Sequence, residues 1–180
     1  MEADVDEACL IRRAQEGYLD AYAELVDRHA ALAYRVALRV LGNHHDAEDV
    51  AQDALVAAWQ QLPQFRGQSK FSTWLYRIVS RRALNEIQRH HATDSLDLIH
   101  EIADTAAEPA AALERDLVMD AVTNAIQALP PAQRIVVVLH HFEGLSYTDV
   151  AAITGSSVPA VRSHLFRARR TLGSALEAWR

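Results

Sequence analysis

The side chains in this chain best suited to chemistry are its arginines. Arg162, Ser163, Phe166, Arg167 and Arg170 lie on one side of a helical pattern that starts near Pro159, and no acid follows before Ala175. At ~100° per residue the other side carries Val161, Leu165, Ala168 and Leu172, a stripe for a core. A phenylalanine stranded among arginines is poorly explained by burial. Contact with a thymine methyl or a sugar explains it, with the arginines on phosphates and guanine edges. A solvated helix face with one exposed aromatic is the plainer alternative.

A second cationic set lies upstream. Lys70, Arg77 and Arg81 stack in one narrow helical strip, bordered by Trp74 and widened by Arg82 and Arg89. From Arg66 to Arg89 there are six bases and one acid, Glu86. Aromatics beside such a strip suit bases stacked out of a duplex. Phe65, at the tip of the loop Gln64–Gln68, is the better stacking candidate, and Trp74 reads as core. The acidic set is Asp46, Glu48, Asp49 and Asp53, with Gln52 between them. Acids at a helix start oppose its positive end. Asp49, Gln52 and Asp53 also share one exposed side, which invites arginines from another protein. The pairs His44-His45, His90-His91 and His140-His141 are poor metal ligand sets, because adjacent helical residues point about 100° apart. With one cysteine and no HExxH string, metal chemistry is set aside.

These sets need helices to hold them. Asp6 to Ala30 reads as helix broken at Gly17, and Ala31 to Leu41 continues it to Gly42-Asn43. A helix from the acidic set runs to Leu62-Pro63. Ser69 is placed to cap the next, Lys70 to about Arg89. Leu113 to Leu129 and Pro131 to Gly144 are helical again. The run Ile135–Leu139 resembles a buried strand, but Pro131 and Gly144 frame a helix-length segment. Ser146 and Asp149 then form a capping box, Gly155 supplies a left-handed turn, and Ser156 or Ser157 with Pro159 starts the helix carrying the arginines. That layout is a helix-turn-helix.

The 180 residues are half hydrophobic, enough for one good core or two small ones. Neither a signal peptide nor a membrane-length apolar run is expected. Cys9 alone excludes an internal disulfide, suits a reducing compartment and reads as a small buried residue. The net charge of −6 hides a mosaic. Residues 1–30 and 92–121 are acidic, whereas 31–91 and 122–180 carry net positive charge. Residues 92–112 hold five acids and no lysine or arginine, and read as an extended linker with Leu96, Leu98, Ile99 and Ile102 free to dock. The expected fold is all-α: two small helical domains, 1–91 and 113–180, joined by that flexible acidic linker.

Two strings carry a family resemblance. DAEDVAQDALVAAWQQLPQFRGQSKFSTWLYRI, Asp46 to Ile78, resembles region 2 of bacterial RNA polymerase sigma factors of the extracytoplasmic-function group. LPPAQRIVVVLHHFEGLSYTDVAAITGSSVPAVRSHLFRARRTL, Leu129 to Leu172, resembles their region 4. The resemblance implies a cytoplasmic transcription initiation factor with no catalysis, no cofactor and no metal. Its partners would be core RNA polymerase, promoter DNA and an anti-sigma factor. Asp46, Glu48, Asp49, Gln52 and Asp53 would dock on the β′ coiled coil, with the β subunit as a further contact. Phe65, Arg66, Gly67, Lys70, Trp74, Tyr76, Arg77 and Arg81 would melt and read the −10 element. Arg162, Ser163, Phe166, Arg167 and the neighbouring Arg170 would read the −35 element. The acidic linker would thread toward the polymerase active-site channel. The chain departs from the family string WLYRIAxN, carrying Arg81 in place of asparagine, and with its end at Arg180 the extra C-terminal domain that some relatives carry is not expected. A stand-alone helix-turn-helix regulator is the alternative, and it leaves the Asp46–Ile78 block without a role.

Overall fold

The computed structural model describes residues 2–94 and 122–176, and every regular element among them is helical. Helix α1 (Glu2–Gln15) and helix α2 (Leu19–Leu41) part at Gly17, whose φ of 95° is a turn other residues resist. Helix α3 (His44–Gln61) begins at Asn43, whose side chain accepts from the Asp46 N–H at 2.7 Å. A 3-10 turn at Leu62–Gln64 leads through a loop to helix α4 (Phe71–Asp94). Ser69 does not cap it: its hydroxyl donates to the Lys70 carbonyl at 3.3 Å. α4 also runs past Arg89, the expected end. Cys9, expected inside, is exposed.

The first core follows from where the apolar positions fall. α2 turns Leu25, Val36 and Val40 inward, and α4 turns Phe71, Leu75 and Val79 to meet them. α3 supplies Ala47, Ala54, Ala57 and Ala58, all buried, so its backbone comes close to both neighbours. The Tyr22 hydroxyl donates to the Leu55 carbonyl at 2.5 Å and ties α2 to α3. α1 packs along α2.

The second group opens with helical residues 122–127, then α5 (Pro131–Val137), a π turn (Val138–Phe142), α6 (Tyr147–Thr154) and α7 (Val158–Leu176). Ile135 to Leu139 are all buried and helical. Their unbroken apolarity has a packing cause: α7, α2 and α4 all pack against this stretch. In the π turn the Glu143 N–H reaches back five residues to the Val138 carbonyl, at 3.2 Å.

A flexible linker was expected to be what joins two separate bundles. Residues 95–121 lie outside the described residues, yet the bundles themselves are packed together, and their cores are continuous. The end of α2 shows how. Its last carbonyls have no partners within the helix. The Gly42 N–H takes Leu38 O at 2.8 Å, Gln127 Nε2 takes Arg39 O at 3.0 Å, and Arg134 takes Val40 O at 2.8 Å. Arg134 also donates to Gln127 Oε1 (2.6 Å), to Leu129 O (3.1 Å) and to Gln127 O. One nearly buried guanidinium therefore closes helix ends from both bundles.

Gly42 sits at φ 84°, and a Cβ there would come within 2.6 Å of the Gln127 side chain. Left-handed backbone costs a residue with a side chain about 1–2 kcal/mol. Gly42→Ala is therefore expected to lower unfolding stability by at least about that amount in urea titration. Gly155→Ala, where nothing crowds the site, should cost no more than the backbone strain.

Candidate nucleic-acid interface

The α6–α7 unit is built as its sequence requires. Ser146 Oγ accepts from the Asp149 N–H at 3.1 Å and donates to the Asp149 carboxylate at 2.6 Å. Gly155 makes the turn at φ 67°, and Ser157 Oγ accepts from the Ala160 N–H at 3.3 Å. Val150, Ile153, Val161, Leu165 and Ala168 are buried together, which fixes the rotation of α7. Its other side then faces outward: Arg162, Phe166, Arg167 and Arg170 are exposed, and Ser163 is half-buried. Phe166 is 62% exposed, far more than a core aromatic. Two of the cations are held in place. Arg162 stands over the Tyr147 ring at 5.8 Å, and Arg167 donates to Ser163 Oγ at 2.8 Å. A rigid helix with an outward cationic face fits a DNA groove.

The second face lies on α4. Arg77 and Arg81 are exposed along it, Lys70 is exposed just before its first turn, and Arg66 and Gly67 are exposed on the loop. Two aromatics differ from expectation. Phe65 does not project from its loop; it is 9% exposed and packs against Phe71 and Trp74 with ring centroids 6.1 and 5.1 Å away. The cause is Gln15, whose amide donates to Leu62 O (3.0 Å) and Phe65 O (2.8 Å) and draws the loop onto α1. Trp74, read as core, is only half-buried and lines an open cleft of about 460 Å³ with Phe65, Arg66, Thr73 and Arg77. Tyr76 is buried, with its hydroxyl donating to Glu143 at 2.8 Å. Burial, the Glu143 hydrogen bond and the nearby Glu143 charge all hold its proton well above the ordinary tyrosine range.

The acidic set occupies the start and outer side of α3. Glu48, Asp49, Gln52 and Asp53 are exposed, and Asp46 is half-buried. Asp53 accepts from Arg82 at 3.1 Å, and Asp49 lies 3.3 Å from His45. Val56, not expected on this face, continues the Asp49–Gln52–Asp53 stripe and is 56% exposed. Its signal was available: an apolar residue at i+3 and i+4 from two polar residues of an outward stripe. His90 bridges Asp46 (3.1 Å) and Glu86 (2.9 Å), and Arg89 holds the other Glu86 oxygen. These three potential ligands lie within 4.8 Å of one another. Each carboxylate already has a side-chain partner, so the group reads as a polar cluster tying α3 to α4. Leu96, Leu98, Ile99 and Ile102 fall outside the described residues.

Comparison with known proteins places these faces in a family. A sequence model described as Sigma-70 region 2 matches residues 25–93, and one described as Sigma-70, region 4 matches residues 119–172. The RNA polymerase sigma-H factor of Pseudomonas aeruginosa is 35% identical, over 93% of this chain and 92% of that protein. The ECF RNA polymerase sigma factor SigW of Bacillus subtilis is 30% identical, over 92% and 94%. Among solved structures, CnrH in complex with the cytosolic domain of CnrY is 31% identical, with a TM-score of 0.69 over 96% of this chain and 98% of that one. The sigma factor RpoE in complex with the anti-sigma factor NepR from Bartonella quintana is 25% identical, with a TM-score of 0.72 over 88% and 98%.

Packing makes a prediction that separates the two aromatics. Truncating a buried phenylalanine costs roughly 3–5 kcal/mol. Phe65→Ala should therefore lower the midpoint of thermal unfolding by several degrees, and Trp74→Phe should leave it nearly unchanged. Circular dichroism melting of both variants checks this.

Proposed function

Because this chain belongs to the sigma-70 family, as an RNA polymerase sigma factor of the extracytoplasmic-function group, we propose which of its side chains do each part of that work. A sigma factor is not an enzyme. It directs core RNA polymerase to promoters by reading the −10 and −35 elements, and the polymerase performs the chemistry. The proposed division is residues 1–91 for core binding and the −10 element, 92–112 as linker, and 113–180 for the −35 element.

In this reading α7 enters the major groove of the −35 element. Arg162, Ser163, Phe166 and Arg167 face base edges and Arg170 anchors a phosphate. The observation that carries it is the exposed Phe166 between arginines on a helix whose opposite side is locked into a core. The α4 strip, with Arg66 and Gly67 on its loop, takes the −10 strand. Lys70, Arg77 and Arg81 neutralise phosphates, and Trp74, not Phe65, offers the accessible ring for an unstacked base. Tyr76 supports this face from beneath. The stripe Asp49, Gln52, Asp53 and Val56, with Glu48 and Asp46 beside it, docks on the β′ coiled coil. An apolar residue flanked by acids suits a partner helix carrying arginines. The β subunit is proposed as a further contact within core polymerase.

Two similar structures are complexes, one with an anti-sigma factor and one with the cytosolic domain of CnrY. They support control of this chain by an anti-sigma factor. Among the described residues no helix is long and apolar enough to cross a membrane. The place of action is proposed to be the cytoplasm, where its polymerase works.

A transcription series with core polymerase tests the assignment. A base contact is worth ~1–3 kcal/mol at one position, and a phosphate contact weakens all sequences alike. Over single-base −35 variants, Arg162→Ala should lose activity in a sequence-dependent way, by about tenfold or more at one position. Arg170→Ala should lose activity evenly and flatten the salt dependence. Equal, sequence-blind losses would demote Arg162 to a phosphate anchor. In a separate binding titration, Asp49→Arg should weaken core polymerase binding by roughly tenfold with unchanged helicity. Unaltered affinity would remove α3 as the docking face.

A further inference from the structure

Asp46, Glu86 and His90 bring three metal-ligating atoms to one point between α3 and α4. His90 Nε2 lies 3.1 Å from Asp46 Oδ2 and 2.9 Å from Glu86 Oε1, and the three atoms fall within 4.8 Å of one another. Glu86 and His90 stand one turn apart on α4, where residues at i and i+4 share a face. Asp46 comes from the first turn of α3. The rings of adjacent histidines diverge, but here one member of a pair meets two acids from other turns.

The helices hold these groups in place before any ligand arrives. Ala47 and Val50 on α3 and Ala83 and Ile87 on α4 are buried, which fixes the rotation of both helices. Asn43 Nδ2 donates to Asp46 Oδ2 at 2.6 Å, and Arg89 donates to the far oxygen of Glu86, Oε2, at 2.5 Å. Partners of this kind orient ligating carboxylates. The side chains of Glu86, Asp46 and His90 are 12%, 22% and 43% exposed, so the cluster opens to solvent on the His90 side. That opening is the entry path for an ion.

Without a metal the cluster is short of a donor. One Nε2–H faces two carboxylate oxygens and points fully at only one of them. A divalent cation in its place serves both. The displaced proton leaves to solvent, and His90 binds through its neutral imidazole. Zn2+ bonds of about 2.0–2.2 Å set tetrahedral ligand atoms roughly 3.3–3.6 Å apart. His90 then swings outward by a few tenths of an ångström, which its partly exposed ring permits. One imidazole with two carboxylates suits Zn2+ or Co2+ better than Mg2+, which keeps to oxygen ligands.

We propose that Asp46, Glu86 and His90 form a binding site for a divalent transition-metal cation of the Zn2+ class, with water at the coordination position they leave open. The bound ion staples the start of α3 to the far end of α4. This site rests on the geometry of the three side chains and not on the DNA or polymerase assignments, so its failure would leave those standing.

The experiment uses the full chain with Cys9→Ser, which removes its one thiol. The protein is freed of metal with a chelator and titrated with Zn2+ by calorimetry. One equivalent should bind, and Zn2+ at about 100 times the Kd should raise the midpoint of thermal unfolding by roughly 5–10 °C. His90→Gln and Glu86→Gln should each weaken binding by at least the roughly 10–100-fold that loss of an orienting partner costs. Both should also abolish the rise in midpoint. Co2+ should give visible absorption bands in the parent chain that His90→Gln loses. His44→Gln combined with His45→Gln, at exposed positions on the start of α3, should leave every readout unchanged. Circular dichroism monitors folding, and if Glu86→Gln is unfolded, the more exposed His90→Gln decides.

Absence of Zn2+ binding, or binding that survives His90→Gln, would overturn the site. Displacement of Zn2+ by millimolar Mg2+ would do the same, since it would show an acidic patch with no part for the imidazole. Binding lost only in the His44 and His45 double variant would reduce the result to adventitious capture at the surface and overturn the site as well.

Discussion

The unpaired carbonyls at the end of α2 are the constraint on which the arrangement depends. A helix leaves its last C=O groups without partners, and burying them unpaired is costly. The end of α2 lies against the second bundle. Gly42 supplies one N–H from the helix end itself, to Leu38, and Gln127 and Arg134 supply two more donors from across the junction, to Arg39 and Val40. Removing the second bundle would expose those carbonyls to water, which satisfies them equally well. The polar part of the junction adds specificity to the continuous apolar core, because each donor there has its acceptor.

That balance explains why an arginine sits next to the most apolar run of the chain. Arg134 precedes Ile135–Leu139, and desolvation holds its pKa below the ordinary arginine range. No acid is paired with it among the described residues; carbonyl oxygens carry the load. Because these acceptors carry only partial charge, the contact is less demanding to form and to break than a buried ion pair. Among the described residues the two bundles also share an ion pair at Glu143, where Arg35 and Arg39 stay partly in water.

Local grammar made much of the fold legible. Gly17, Asn43, Ser146 and Gly155 act at their own positions, so the breaks, caps and helix-turn-helix could be read directly. The outward face of α7 was legible too, since a stripe of Val161, Leu165 and Ala168 settles where Arg162 and Phe166 must point. Contacts distant in the chain were not. Nothing near Phe65 reveals that Gln15 draws its loop inward, and nothing near Glu143 names Arg39 or Tyr76 as partners. Ser69 shows the limit of local grammar as well: a good capping residue turned its hydroxyl to a carbonyl instead. The docking of the two bundles went unread for the same reason, because an acidic linker suggests separation and the donors that oppose it are scattered.

The π turn at Val138–Phe142 sets the phase of everything after it. One residue more than an α-helical turn accommodates rotates the following chain by about 100° about the helix axis. That rotation brings Glu143 round to α2 and α4, and it aims the α6–α7 unit at the α4 strip. The turn acts as an indexing step: a chain one residue shorter there would keep all its helices but present a different side of the second bundle to the first. Homologous chains that differ by a single residue in this stretch would then share both domains and differ in how the domains meet.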